Sequence, residues 1–199
     1  MSEAQDNKAV HASVLLAQFN TLRDEIKTRS TAQAALLTAN ITAIGVIGGF
    51  VFSDKGQGAD VLLVIPILSP MLGMLWIDHA ISIACIGTFL QRTVTPALAK
   101  VIGVPALPDY EEKVRELEAR TGLRVFVFGF PIFLLFAGLP MAALLYALLQ
   151  AADVSSPSFW GPALLGVSLV VIFVAMWARL VWRPGEAWLA SYTQTAEAR

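Results

Sequence analysis

Asp78 and His79 are the residues most able to do chemistry here, because they interrupt a run at 61–91 that otherwise carries no charge. An acid inside a membrane-crossing helix is costly and usually functional, so one reading makes Asp78 a gating or proton-coupled group. Depth supports a second reading. Asp78 lies 18 residues after Asp60, about 27 Å along a straight helix, which puts it at the inner headgroup level if Asp60 marks the outer boundary. There it pairs with Arg29 or Lys27 at the inner end of the first apolar segment, with Trp76 as an interfacial neighbour. His79 beside an acid invites a metal reading. Helical neighbours project about 100° apart, however, and a divalent site needs three or four ligands. The only other histidine is His11, so no metal site is expected.

The second set of polar groups is in the first apolar segment. Thr38, Asn40 and Thr42 bring two hydroxyls and an amide into it, and an amide there needs a hydrogen-bond partner. Two roles are open: lining a conduction path, with Asp78 adding an acidic ring near its cytoplasmic mouth, or interhelical packing. Gly45 and Gly49 follow in a small-xxx-small pattern that permits close helix approach, either between subunits or within one. Pro66, Pro70, Pro131, Pro140 and Pro162 punctuate the apolar segments, and each removes a backbone donor. No zinc-protease, serine-nucleophile or phosphate-loop motif occurs. No enzyme, catalytic residue or cofactor is expected.

The elements that hold these groups follow from composition. Of 199 residues 56% are hydrophobic and 15% charged, with mean hydropathy +0.66, outside the ordinary soluble range. Net charge is −1 without a basic block, which argues against nucleic-acid binding. The lone Cys85 excludes an internal disulfide and reads as a buried thiol. The acidic opening MSEAQDNKAV does not have the pattern of a cleaved leader.

Stretches 30–53, 61–77, 125–152 and 154–178 contain no Asp, Glu, Lys or Arg. A span needs roughly 20 apolar residues, so four transmembrane helices are expected: 30–53, 61–78, 125–150 and 158–178. SDKGQGAD joins the first pair and ADVSSPS the second, both turn-forming, which makes two hairpins. The expected fold is an all-α polytopic membrane protein with helical cytoplasmic extensions. Thirteen of the 14 Lys and Arg residues lie in 1–29, 92–124 or 179–199. The positive-inside rule then puts both termini and the middle segment in the cytoplasm. Trp160 and Trp177 suit aromatic anchors at the two interfaces of the last span, and Trp182 and Arg183 extend the inner one.

Outside the spans, His11, Leu15, Phe19, Leu22 and Ile26 form one helical stripe over 1–29, and Glu25 is placed to pair with Arg29. With no Gly or Pro in between, the helix runs on into the first span as one element of roughly 45 residues. The second span continues over 79–92. In 93–124 a proline-rich connector holds at most one short helix, and a capped helix follows from Asp109 to Gly122. AISIACIGTFL, beyond Asp78, is apolar on nearly every face and requires cover. The stripe of Leu15, Phe19, Leu22 and Ile26, that of Tyr110, Val114 and Leu117, and other subunits are the available sources.

LLAQFNTLRDEIKTRSTAQAALL before the first span, paired with ILSPMLGMLWIDHAISIACIGTFLQR around the second, resembles a group of small bacterial four-span integral membrane proteins, mostly without assigned function. The resemblance covers the first half of the chain. It implies a bacterial plasma (inner) membrane and a helical architecture, and it carries over no catalytic residue. The expected function is a homo-oligomer in the lipid bilayer that forms a regulated ion-conducting pore between subunits, because a lone four-helix bundle with so few polar groups has no wet lumen. The rival is a membrane-anchored interaction or signalling protein whose cytoplasmic helices dock a protein partner.

Overall fold

The computed structural model describes residues 2–53, 59–104, 129–150 and 157–182. The helix expected at 109–122, with Tyr110, Val114 and Leu117, lies outside the described residues, as do residues 54–58 and 151–156 of the two expected turns and the tail from Arg183.

Every regular element among the described residues is helical. The helix α1 runs unbroken over Ser2–Ser53, 52 residues or about 78 Å; no Gly precedes Gly45 and no Pro falls within it. A 3-10 turn at Ala59–Val64 leads into α2, Ile65–Phe89. Pro66 sits in the first turn of α2, where its missing N–H costs nothing. The helix then widens by one residue per turn at Leu90–Val94 and continues as α3, Thr95–Ile102, which stops at Gly103 with φ +82°. The proline-rich segment thus begins as a short helix stacked on α2. The third apolar segment is α4, Phe130–Phe133, a second wide turn at Leu134–Gly138, and α5, Leu139–Gln150. The last helix, α6, is Pro157–Trp182. Four of these helical runs are long and apolar enough to cross a membrane: Asp6–Val51, Val61–Ile102, Phe130–Gln150 and Phe159–Arg179.

Three hydrogen bonds, one direct and two through a shared acceptor, set the register of α1 against α2. Gln33 Nε2 donates to the Trp76 carbonyl at 3.1 Å, and Asn40 and Ser69 both donate to the Leu135 carbonyl. From Gln33 to Asn40 is seven residues up α1, and from Trp76 to Ser69 is seven back along α2. The helices are therefore antiparallel with a two-turn repeat, the spacing of a coiled-coil seam. Extending it places Ile26 opposite Ile83 and Phe19 opposite Leu90. Leu15, Phe19, Leu22 and Ile26 are half-buried, and Gly87, Leu90 and Val94 are buried. The α1 stripe thus covers the apolar extension of α2 within one chain. His11 is exposed and falls off the stripe; Ala12 takes its place. Glu25 and Arg29 pair at 2.6 Å, as the four-residue spacing predicts.

Two apolar clusters hold the four helical runs together. Near the end of α1, Val51 packs with Leu62, Leu63, Ile65, Leu144, Ala147, Phe159 and Ala163. Further along, Ile77, Phe136, Ala137, Val170 and Phe173 form the second cluster, extended by Leu37, Leu72, Trp76, Phe133 and Trp177. Gly73 makes room for it: a Cβ there would stand 2.6 Å from Phe173 and 2.9 Å from Phe136.

Candidate functional site

Asn40, Ser69 and Leu135 meet where three helical runs touch, between the two apolar clusters. Asn40 and Ser69 are each 1% exposed. Asn40 Nδ2 donates to the Leu135 carbonyl at 3.5 Å and Ser69 Oγ donates to the same oxygen at 3.3 Å. The reason this carbonyl is free lies in its own helix. Leu139 N–H bonds to the Leu134 carbonyl, one residue further back than an α-helix requires. Leu135 would next turn to residue 140, which is proline and has no N–H. Its carbonyl is therefore orphaned, and side chains from α1 and α2 satisfy it, as apolar surroundings demand. Among the described residues Asn40 Oδ1, which is buried, has no hydrogen-bond partner. Both wide turns end two residues before a proline, Pro140 and Pro96, which fits the clash that a proline ring makes with the carbonyl four residues back.

Asn40 is thus separated from the threonines that flank it. Thr38 and Thr42 are exposed on the other side of α1, and Thr38 Oγ1 bonds back to the Ala34 carbonyl at 3.1 Å. Gly45 and Gly49 share their face, and nothing lies within 4 Å of a Cβ built on either. Thr31, Ala35, Thr38, Thr42, Gly45 and Gly49 are all exposed and recur at alternating steps of four and three. They form a strip of small residues along α1, opposite the seam that packs on α2.

Asp78 is exposed on α2, and among the described residues no ion pair joins it to Arg29 or Lys27; Arg29 turns to Glu25 on its own helix. His79 faces differently. It is half-buried, and its Nδ1 and the Trp76 Nε1 one turn earlier are shielded and have no hydrogen-bond partner among the described residues. Among the described residues no three His, Cys, Asp or Glu side chains converge. The Trp76 ring lies 6.1 Å from Trp177, which also meets Phe173 at 6.0 Å and Phe133 at 6.4 Å. Trp177, expected as an interfacial anchor, is therefore part of the internal aromatic cluster, whereas Trp160 is exposed. Cys85 is half-buried and free.

On the outer surface of the N-terminal stretch, Val10 and Val14 are 58% and 59% exposed, and Leu16 is exposed beside them.

Sequence reasoning missed Ser69, Leu135 and Gly73. Ser69 stands between Pro66 and Pro70 in a segment read only for the donors its prolines lack, and Leu135 acts through its backbone, which leaves no mark in residue type. The nearest signal was Pro140, since a proline within a helix announces an orphaned carbonyl four residues back, at Phe136; the wide turn moves it one residue further, to Leu135. Comparisons of the chain with protein-family models, with curated proteins and with solved structures return no match.

Proposed function

We propose that this chain is a homo-oligomeric protein of the bacterial plasma membrane whose subunits meet along the outer face of α1, forming a regulated cation-conducting seam between them. The observation that carries this reading is the uncovered strip from Thr31 to Gly49. Lipid-facing surfaces have no need of small residues, and a strip that repeats in two-turn steps lets a second helix approach closely. Thr38 and Thr42 bring hydroxyls to that seam and Asp78 adds an exposed carboxylate on the neighbouring helix, while Asn40 contributes to the interior of each subunit instead. The distribution of Lys and Arg supports both termini lying in the cytoplasm.

Purified protein reconstituted in liposomes tests this. Cation flux reduced by Thr42→Leu, together with loss of the oligomer in Gly45→Leu, supports the seam. A monomer in native detergent extracts, or flux unchanged by both variants, overturns it.

A second reading, a membrane anchor that docks a cytoplasmic protein, is favoured by the exposed Val10, Val14 and Leu16. It gains if Val10→Ser with Val14→Ser removes a co-purifying partner without altering the oligomer.

A further inference from the structure

The strip of small residues on α1 has a counterpart on α2. Met71 and Leu75 are 51% and 53% exposed, and Asp78 and Phe89 are exposed on the same side. Asp78 stands two residues from Trp76 and nine from Ser69, about 160–180° around α2 from the seam with α1. Thr38 stands two residues from Asn40 and is equally far around α1. The α1–α2 pair therefore presents one exposed face at each end, small residues on α1 and large ones on α2. We infer that the subunits assemble head to tail, the strip on α1 of one copy taking the outer face of α2 of the next. This rests on the reading that subunits meet along α1, and it names the surface that meets it.

Level and charge select this partner. Copies in one bilayer share orientation and depth, so the register that sets Gln33 level with Trp76 and Asn40 level with Ser69 carries over between copies. Met71 then stands level with Thr38, and Leu75 level with Ala34 and beside Ala35. Each large side chain meets a small one, which lets the two helices approach closely. Asp78 stands level with Thr31, four residues or about 6 Å from Lys27, within reach of a lysine side chain. Asp78 and Lys27 are exposed on opposite sides of their own chain, so this ion pair forms only between copies. Two α1 strips face to face would pack glycine on glycine, but they would also set Asp24, exposed on the same line as Thr31, against Asp24 of the next copy. Like charges so placed oppose the contact. Head to tail, Asp24 stands level with the uncharged Cys85 instead. A contact between two different faces repeats around an axis and closes into a ring.

Cross-linking of the full chain in native membranes, in a Cys85→Ser background, tests this. Ala35→Cys and Leu75→Cys lie on opposite sides of the α1–α2 pair, beyond what a disulfide spans within one chain. Together they should give a ladder of dimers, trimers and larger species on denaturing gels after mild oxidation, and either alone should stay monomeric. Dimers from Ala35→Cys alone would overturn the head-to-tail contact in favour of two α1 strips face to face, and would leave the seam along α1 standing. A missing ladder while native extracts still hold an oligomer would also overturn it, whereas a monomer in those extracts sinks the seam as well. Charge gives a check without cysteines. Asp78→Lys should raise the dissociation constant of the detergent-solubilised oligomer by about tenfold or more, and Lys27→Asp added to it should restore assembly. A double variant that assembles no better than Asp78→Lys would count against the contact.

Discussion

The Asn40 side chain reaches the Leu135 carbonyl, 95 residues away in the chain, at 3.5 Å. Ser69 reaches the same oxygen, so one acceptor ties three helical runs. Removing either donor alone leaves Leu135 with the other. Asn40→Ala and Ser69→Ala are each expected to cost about 0.5–1.5 kcal/mol in this apolar setting. The double variant is expected to cost more than the sum, because an orphaned carbonyl carries its full desolvation penalty, about 1–3 kcal/mol. Reversible unfolding in mixed micelles gives all three values, and simple additivity would show that the two donors act independently.

Gly73 lies against Phe173 and Phe136, whose rings are 5.9 Å apart. Gly73→Ala puts a methyl group where a ring atom stands, and the cost of such overpacking is about 1–3 kcal/mol. Because Phe173 also stacks on Trp177, the displaced ring should alter tryptophan fluorescence and near-ultraviolet dichroism. Adding Phe173→Leu should restore part of the lost stability. A Gly73→Ala protein as stable as the parent, with unchanged spectra, would contradict the packing described.

The four apolar runs, the unbroken first helix and the Glu25–Arg29 pair were legible because each depends on residues near one another in sequence. Hydropathy, absence of breakers and four-residue spacing are local quantities. The partner of Asn40 was not legible, since it is a backbone oxygen made available by a proline in another helix. Asp78 shows the same limit from the other side. Its residue type suggested a partner in Arg29, but Arg29 has Glu25 within one turn, and an ion pair on one helix forms without tertiary cost. Trp177 read as an anchor because position along the helix was legible and its facing was not.

The seam between α1 and α2 predicts which residues cross-link. In a Cys85→Ser background, Phe19→Cys with Leu90→Cys and Ile26→Cys with Ile83→Cys should form disulfides on mild oxidation, since each pair stands at one level of the antiparallel register. The mismatched pair Phe19→Cys with Ile83→Cys is displaced by seven residues, about 10 Å along the axis, beyond what a disulfide spans. Equal cross-linking of matched and mismatched pairs on denaturing gels would show that the two helices slide or pair differently.

Pro140 links the wide turn to Asn40, and its replacement separates cause from consequence. In Pro140→Ala a new N–H appears at position 140. If the turn stays wide, that N–H reaches Leu135 directly; if it tightens to α-helix, Leu139 N–H returns to Leu135 and the new one bonds to Phe136. Either way Leu135 regains a backbone donor and needs its side-chain partners less. The cost of Asn40→Ala is therefore expected to fall to less than half its parental value in the Pro140→Ala background, a coupling read from a double-mutant cycle. Asn40 then lies buried with neither end well paired, so Pro140→Ala should also make Asn40→Leu neutral or stabilising. An Asn40→Ala cost that is the same in both backgrounds would mean that Pro140 does not create the acceptor Asn40 serves.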